Sequence, residues 1–502
     1  MIWKTLATTA LIGTLGAFSA QAADLRIAIQ DDPDMLDPAQ SRSFLTRIVL
    51  TAMCDKLVDV DADVQFVPQL ATDWSTSEDG LKLVMNLREG VVFHDGEPFN
   101  AEAVVYTINR NMNLKESRRK SELSSVESIE ATGPYQVTFT LKKPDASLIG
   151  QLSDRAGVMI SPKAGEALGA DFAKAPVCAG PFKFLERIAQ DRIVLEKFDG
   201  YYDADRIHFD KVTYVPIPDT TVRLANLQSG DVHIVDRMAA TDADSVRGNA
   251  DLALLEAVGL GSMGIYVNVG KSDQSQNPIG QDARVRQAFS LGIDRDAIMQ
   301  VVFNGSAMAG NQPWPPTSPW FNKDIPVEAR NVEKAKALMA EAGVDRVKVT
   351  IKHANNPVTT QAMQMIQAMV AEVGFDVELL STEFATLLND QQQGNYQVSR
   401  SDWSGRPDPD GNTHQFYTTG AGLNDPGYSN PEVDRLLDEA RASSDPEVRK
   451  AKYAEFAAIV TKDLPIITLG HQSYLYGLNA KLEGFKAYPD AMIRLQDVKL
   501  AQ

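Results

Sequence analysis

The sequence predicts an α/β protein of mixed α+β character, folded as two or three domains, and three observations carry that prediction. Up to about Gly270, short runs of alternating apolar and polar residues are separated by Pro- and Gly-marked turns, the texture of antiparallel strands. Beyond Gly270, helical periodicity alternates with strands, the texture of βαβ units. At 502 residues, the chain is also too long for one hydrophobic core.

The first 22 residues carry Lys4, an apolar run from Leu6 to Phe18 and the ending Ala20-Gln21-Ala22, which reads as a secretory signal peptide cleaved near Ala22. The run is too short to span a membrane, and Ala23 stands where a lipid-bearing Cys would. Loss of Lys4 takes the formal net charge from -18 to -19. Such acidity argues against nucleic acid and anionic membrane surfaces as partners, and it suits a free, soluble monomer in an exported compartment.

Residues 25–29 are expected as a strand ended by the acidic loop Asp31 to Pro38, and residues 42–58 as a helix. Strands at 81–87 and 135–141 flank a turn and a second helix. In that turn, His94-Asp95-Gly96-Glu97-Pro98, glycine permits a positive φ and Phe99 closes onto a core. Asn100 then caps a helix that aligns Val104, Ile108 and Met112. His94 and Asp95 read as a buried turn in preference to a catalytic or metal-binding pair. Antiparallel strands are expected across 182–214, a short helix at 223–229 stopped by Gly230, and a strand at 231–235. A long helix is expected over 283–303. Strand 347–351, helix 358–373 and strand 375–380 form a βαβ unit with a right-handed crossover. Asn430-Pro431 and Asp445-Pro446 each place a capping residue before a proline that opens a helix.

Four of these blocks resemble the dipeptide/oligopeptide/nickel group (family 5) of extracytoplasmic solute-binding proteins: the Leu36-Asp37-Pro38 loop, the stretch from Phe93 to Thr107, the block opening at Gly180-Pro181-Phe182, and the segment from Ala225 to Val235. The resemblance covers roughly residues 25–485. It implies a two-lobed periplasmic-binding-protein fold (type II) with an extra α+β domain inserted in the first lobe, ligand capture by hinge closure, and delivery to the permease and ATPase subunits of an ABC importer. Carried onto this chain, residues 1–22 are the signal peptide, lobe I takes 23–54, 185–270 and 471–502, the insertion 55–184, and lobe II 271–470. The resemblance also brings Cys54 and Cys178 together; a disulfide is expected, with two buried free thiols as the alternative.

For the ligand site, the segment from Tyr396 to Gly411 ranks first, because an apolar strand entry runs through Arg400, Trp403 and Ser404 into a charged, Pro-interrupted loop. Peptide-binding members have a matching Trp and, three residues later, an Asp for the peptide's amino group; here that position is Arg406. A guanidinium repels an ammonium and pairs bidentately with a carboxylate, so Trp403 is expected as a pocket wall and Arg406 as an anion clamp. The alternative is that Arg406 braces its loop through Asp408 or Asp410. Trp314, in a Pro-rich loop with Trp320, is a second wall candidate, and His471 is a further ligand contact where the family returns through the cleft.

The match Gly259-x-Gly261-x-x-Gly264 to a dinucleotide motif is set aside, since strand-like residues follow where a helix is required. Asp408 to Asn412 departs from a calcium loop, and no HExxH, Gly-x-Ser-x-Gly or Walker loop occurs. No enzyme activity, cofactor or metal is expected. The ligand class reads as a short peptide or a peptide-like, carboxylate-bearing compound, with an opine-like compound or an oligosaccharide as alternatives; a secreted enzyme or chaperone on the same scaffold is the more distant one.

Overall fold

In a computed structural model that describes residues 24–501, one strand organises the molecule. This bridging strand, Ile466–Asn479, runs through two sheets that a single network of pairings joins into twelve strands. Its first residues pair antiparallel with Ser262–Val267, placing Tyr266 opposite Ile466, and its last pair with Leu252–Val258, from Val258 opposite Ser473 to Leu252 opposite Asn479.

On one side the order continues through Ile234–Val235, Asp24–Ile29, Lys211–Pro216, Arg192–Lys197 and Phe182–Ile188. Asp24–Ile29 is parallel to both neighbours, while the last three strands form an antiparallel meander. On the other side lie Val398–Trp403, Val347–Ala354 and Phe375–Thr382. The last two are parallel and joined by helix Pro357–Ala371, the βαβ unit read from the sequence. Each side buries its own core. Leu25, Ile27, Ile48, Phe182 and Tyr214 belong to one, and Ile265, Phe289, Ile351, Ile366 and Val398 to the other.

A separate four-stranded antiparallel sheet, Ala71–Thr76, Lys82–Leu87, Gln136–Leu141 and Val126–Gly133, is covered by helix Ala101–Asn113. Asn100 caps that helix by accepting from the Ala103 N–H, Gly96 takes φ 84°, and Phe93 and Phe99 meet edge to face in this third core. His94 reaches the Gly180 carbonyl, and burial lowers its pKa to about 4, so it is a neutral strut within the fold. Beside it a disulfide joins Cys54 to Cys178.

Three elements differ from the sequence reading. The helix read over 42–58 is Phe44–Met53; Cys54 is already extended, where the chain turns into the disulfide. The long helix read over 283–303 is two, Ala283–Leu291 and Arg295–Val301, because Asp294 caps a new start by accepting from the Ala297 N–H. Apolar spacing continues through that break, which is why periodicity alone joined them. The strand read over 231–235 shrinks to Ile234–Val235. The signal peptide lies outside the described residues. Among them, no helix is long and apolar enough to cross a membrane.

Candidate functional site

The two sides of the sheet are linked by two crossings, Gly259-Leu260-Gly261 and the middle of the bridging strand, and the crossings touch. A Cβ on Gly261 would fall 1.8 Å from the Trp403 carbonyl oxygen, and one on Gly259 2.6 Å from that of Gln472. The glycine pair that mimicked a nucleotide motif thus serves close backbone approach. His471 sits within the crossing: its Nδ1 is 2.7 Å from the Gly261 carbonyl, and burial depresses its pKa to about 4. It is a neutral part of the crossing.

Beside the crossings lies a narrow cavity of about 60 Å³, and residues from both sides of the sheet line it. Gln30, Arg223 and Arg237 come from the end where the parallel strands Asp24–Ile29 and Ile234–Val235 deliver their following loops. Arg400 and Asp402 come from strand Val398–Trp403, and Asn356, Val358 and Thr359 from the N-terminus of helix Pro357–Ala371. Ligands gather at such carboxyl ends of parallel strands because the loops there are free to vary over a fixed frame.

The cavity is cationic and incompletely satisfied. Arg400 is buried and pairs with Asp402, yet its Nε has no partner; the Nε atoms of Arg223 and Arg237 and the amide nitrogen of Asn356 are likewise buried and unpartnered. Arg237 is held with φ 50°, a left-handed conformation that a side-chain-bearing residue adopts at a cost. Its guanidinium lies over Phe44, 4.0 Å from the ring centroid, and near Tyr474 at 5.3 Å. Acids stand behind it: burial raises Asp31 and Asp236 each to about 6, and both Asp236 oxygens lack a hydrogen-bond partner.

Next to this cavity, Trp403 donates from Nε1 to Asn412 at 2.8 Å, meets Phe416 edge-on and carries Arg406 over its ring at 4.1 Å. Arg406 is buried and ion-paired with Asp154, a residue far away in sequence, at 2.5 Å. It pairs with neither Asp408 nor Asp410, the two partners its neighbourhood suggested. Asp408 is taken by Arg449 at 2.6 Å, and Asp410 by Arg441 at 2.6 Å. Ser404 accepts from Arg47 at 2.9 Å, and its carbonyl accepts from the Tyr474 hydroxyl. Trp314 is buried against Tyr453 and Phe456, in the same core on which Phe416 and Trp403 pack.

The structure therefore brings Arg400, Trp403, Ser404 and Arg406 to one junction, puts His471 into the crossing behind it, and buries Trp314 in the core on which Trp403 packs. Arg223, Arg237, Asn356, Arg47 and Asp154 were missed. Asn356-Pro357 carries the cap-before-proline signal and Asp154-Arg155 is a charged pair in an apolar stretch, so both were visible; nothing local marks Arg237.

Residues 65–424 match the family model of the bacterial extracellular solute-binding proteins, family 5. The chain belongs to this family. As a family 5 protein it is 28% identical to the glutathione-binding protein GsiB of Pectobacterium atrosepticum, over 96% of this chain and 95% of that one. It is 25% identical to the dipeptide-binding protein of Escherichia coli, over 98% and 97%. Among solved structures, the periplasmic binding protein DppA of Helicobacter pylori with the peptide STSA superposes with a TM-score of 0.87 at 25% identity, covering 96% of this chain and 99% of that one. AgaA from A. tumefaciens R10, in complex with agropinic acid, gives 0.87 at 26%, over 95% and 99%. This family 5 chain thus shares its mixed α/β architecture with periplasmic binding proteins over nearly its whole length.

Proposed function

We propose that this protein is a periplasmic receptor that captures a short peptide, or a peptide-like compound bearing a carboxylate, between two closing lobes and hands it unchanged to the permease and ATPase subunits of an ABC importer. The observation that carries the ligand class is the set of guanidiniums, buried Arg400 and Arg223 and half-buried Arg237, whose Nε atoms lack partners in the cavity at the N-terminus of helix Pro357–Ala371. A carboxylate matches both the guanidinium fork and the helix end. Glutathione, a dipeptide and agropinic acid, the ligands named for its relatives, all carry carboxylates.

In this reading residues 1–22 are removed on export, and the mature protein works as a monomer. Lobe I comprises 23–54, 185–270 and 471–502, with 55–184 inserted and 271–470 as lobe II. Thermal-shift screening of dipeptides, glutathione and opines on the mature protein should find a stabilising ligand, since binding to the folded state raises the melting temperature. Calorimetry on Arg400→Met should then show affinity reduced roughly tenfold or more. Equal binding of the ligand and its carboxamide would sink the carboxylate anchor.

A further inference from the structure

We propose that a buried cluster of four arginines, at the junction where Arg406 meets residues from the other side of the sheet, is an oxyanion site that takes a second acidic group of the cargo and makes closure depend on it. The inference rests on the receptor reading above. Arg47, Arg119, Arg155 and Arg406 are 6%, 0%, 1% and 5% exposed. The carboxylates that act on them from within the cluster are two, Asp154 and Glu122. Asp154 is gripped by Arg47 at 2.7 Å and Arg406 at 2.5 Å, and Glu122 by Arg119 at 2.5 Å.

Arg155 is left over. Its Nη1 donates to the Ser41 carbonyl at 3.0 Å, its Nε stands 4.0 Å from Asp154, and both Nε and Nη2 lack a hydrogen-bond partner. The Nε of Arg119 is also unpartnered. Four guanidiniums sharing two carboxylates away from water is an unfavourable arrangement, and buried cationic N–H groups without acceptors are rare because each forfeits its hydration. A carboxylate supplies the missing charge and two acceptor oxygens in the spacing of the guanidinium fork.

The cluster is drawn from both sides of the molecule. Ser404 and Arg406 follow strand Val398–Trp403, whereas Arg47 lies on helix Phe44–Met53 and Asp154 and Arg155 belong to the 55–184 segment. Asp154 joins Arg406 to Arg47 on closure, so the charge that closure leaves unanswered is that of Arg155, which an incoming anion would meet. The void beside Arg47 and Arg155 is about 10 Å³, room for a single water, so the acidic group enters while the lobes are apart. Together with the Arg237 and Arg400 cavity, this makes the preferred cargo a compound with two acidic groups.

The test uses the intact mature protein, with sulfate, glutathione and dialanine as probes, at constant ionic strength held with chloride. Sulfate should raise the melting temperature saturably in the wild type and not in Arg155→Met. Glutathione, with two carboxylates, should compete with sulfate and bind Arg155→Met roughly tenfold or more weakly, while dialanine binds both proteins alike. If Arg155→Met does not fold, Arg155→Lys, which keeps the charge without the fork, should fold and show a weakened sulfate response. A wild type no more stabilised by sulfate than by chloride, or a variant that keeps the response, overturns the site. Sulfate that glutathione fails to displace marks a resident inorganic anion and overturns the cargo assignment. If no peptide binds either protein, the ligand reading of the preceding section fails, while the sulfate arm still decides the oxyanion site.

Discussion

At the scale of single residues, the buried charges divide into those that are answered and those that are not. Asp410 is answered: it is 1% exposed and accepts from Arg441 through both oxygens and from Gln151. Asp410→Ala should strand the Arg441 charge and cost about 3–5 kcal/mol in chemical denaturation. Asp55 is of the other kind. Burial raises its pKa to about 7, although the hydroxyls of Tyr201 and Tyr202 donate to it. Because the folded protein holds that proton more tightly than the unfolded chain, Asp55 contributes stability that is full near pH 4 and lost as pH rises through about 7. Asp55→Asn should flatten the decline in melting temperature across that window; an unchanged slope would assign the decline to other groups. Local sequence showed neither residue's environment, since what distinguishes them is which distant side chains fold against them. The same holds for Arg406: its type and position relative to Trp403 were legible in the sequence, whereas Asp154, 252 positions earlier, was not.

At the scale of elements, caps and glycines decide more than propensity. Asp294 separates helix Arg295–Val301 from its predecessor, and Asp294→Ala should cost about 1 kcal/mol while leaving ligand affinity unchanged. Gly261 faces a harder constraint: a methyl group there meets the Trp403 carbonyl at 1.8 Å, and backbone cannot swing aside as a side chain can. Gly261→Ala should destabilise by more than about 3 kcal/mol or prevent folding, readable as a lowered denaturation midpoint. The strands with clean alternation, the βαβ unit and the proline-opened helices were legible because each is set by neighbours in sequence. The merged helix over 283–303 was misread because the apolar stripe persists across a break that only capping explains.

At the scale of the whole molecule, the disulfide and the two crossings set how the parts move together. Cys54 and Cys178 close a loop of 124 residues around the four-stranded sheet. Replacing both with Ala should lower stability by about 2–5 kcal/mol, since the constraint acts mainly on the unfolded chain. If the proposed receptor closes about the two adjacent backbone crossings, ligand should shrink the radius of gyration in X-ray scattering without altering secondary structure. Ile466–Asn479 is the partner of strands on both sides of those crossings, including Leu252–Val258, Ser262–Val267 and Ile234–Val235. A nascent chain that has not yet delivered Ile466 leaves both sheets with an open edge. Each half therefore completes its hydrogen bonding only once nearly all of the polypeptide has arrived, which delays folding until synthesis is almost finished.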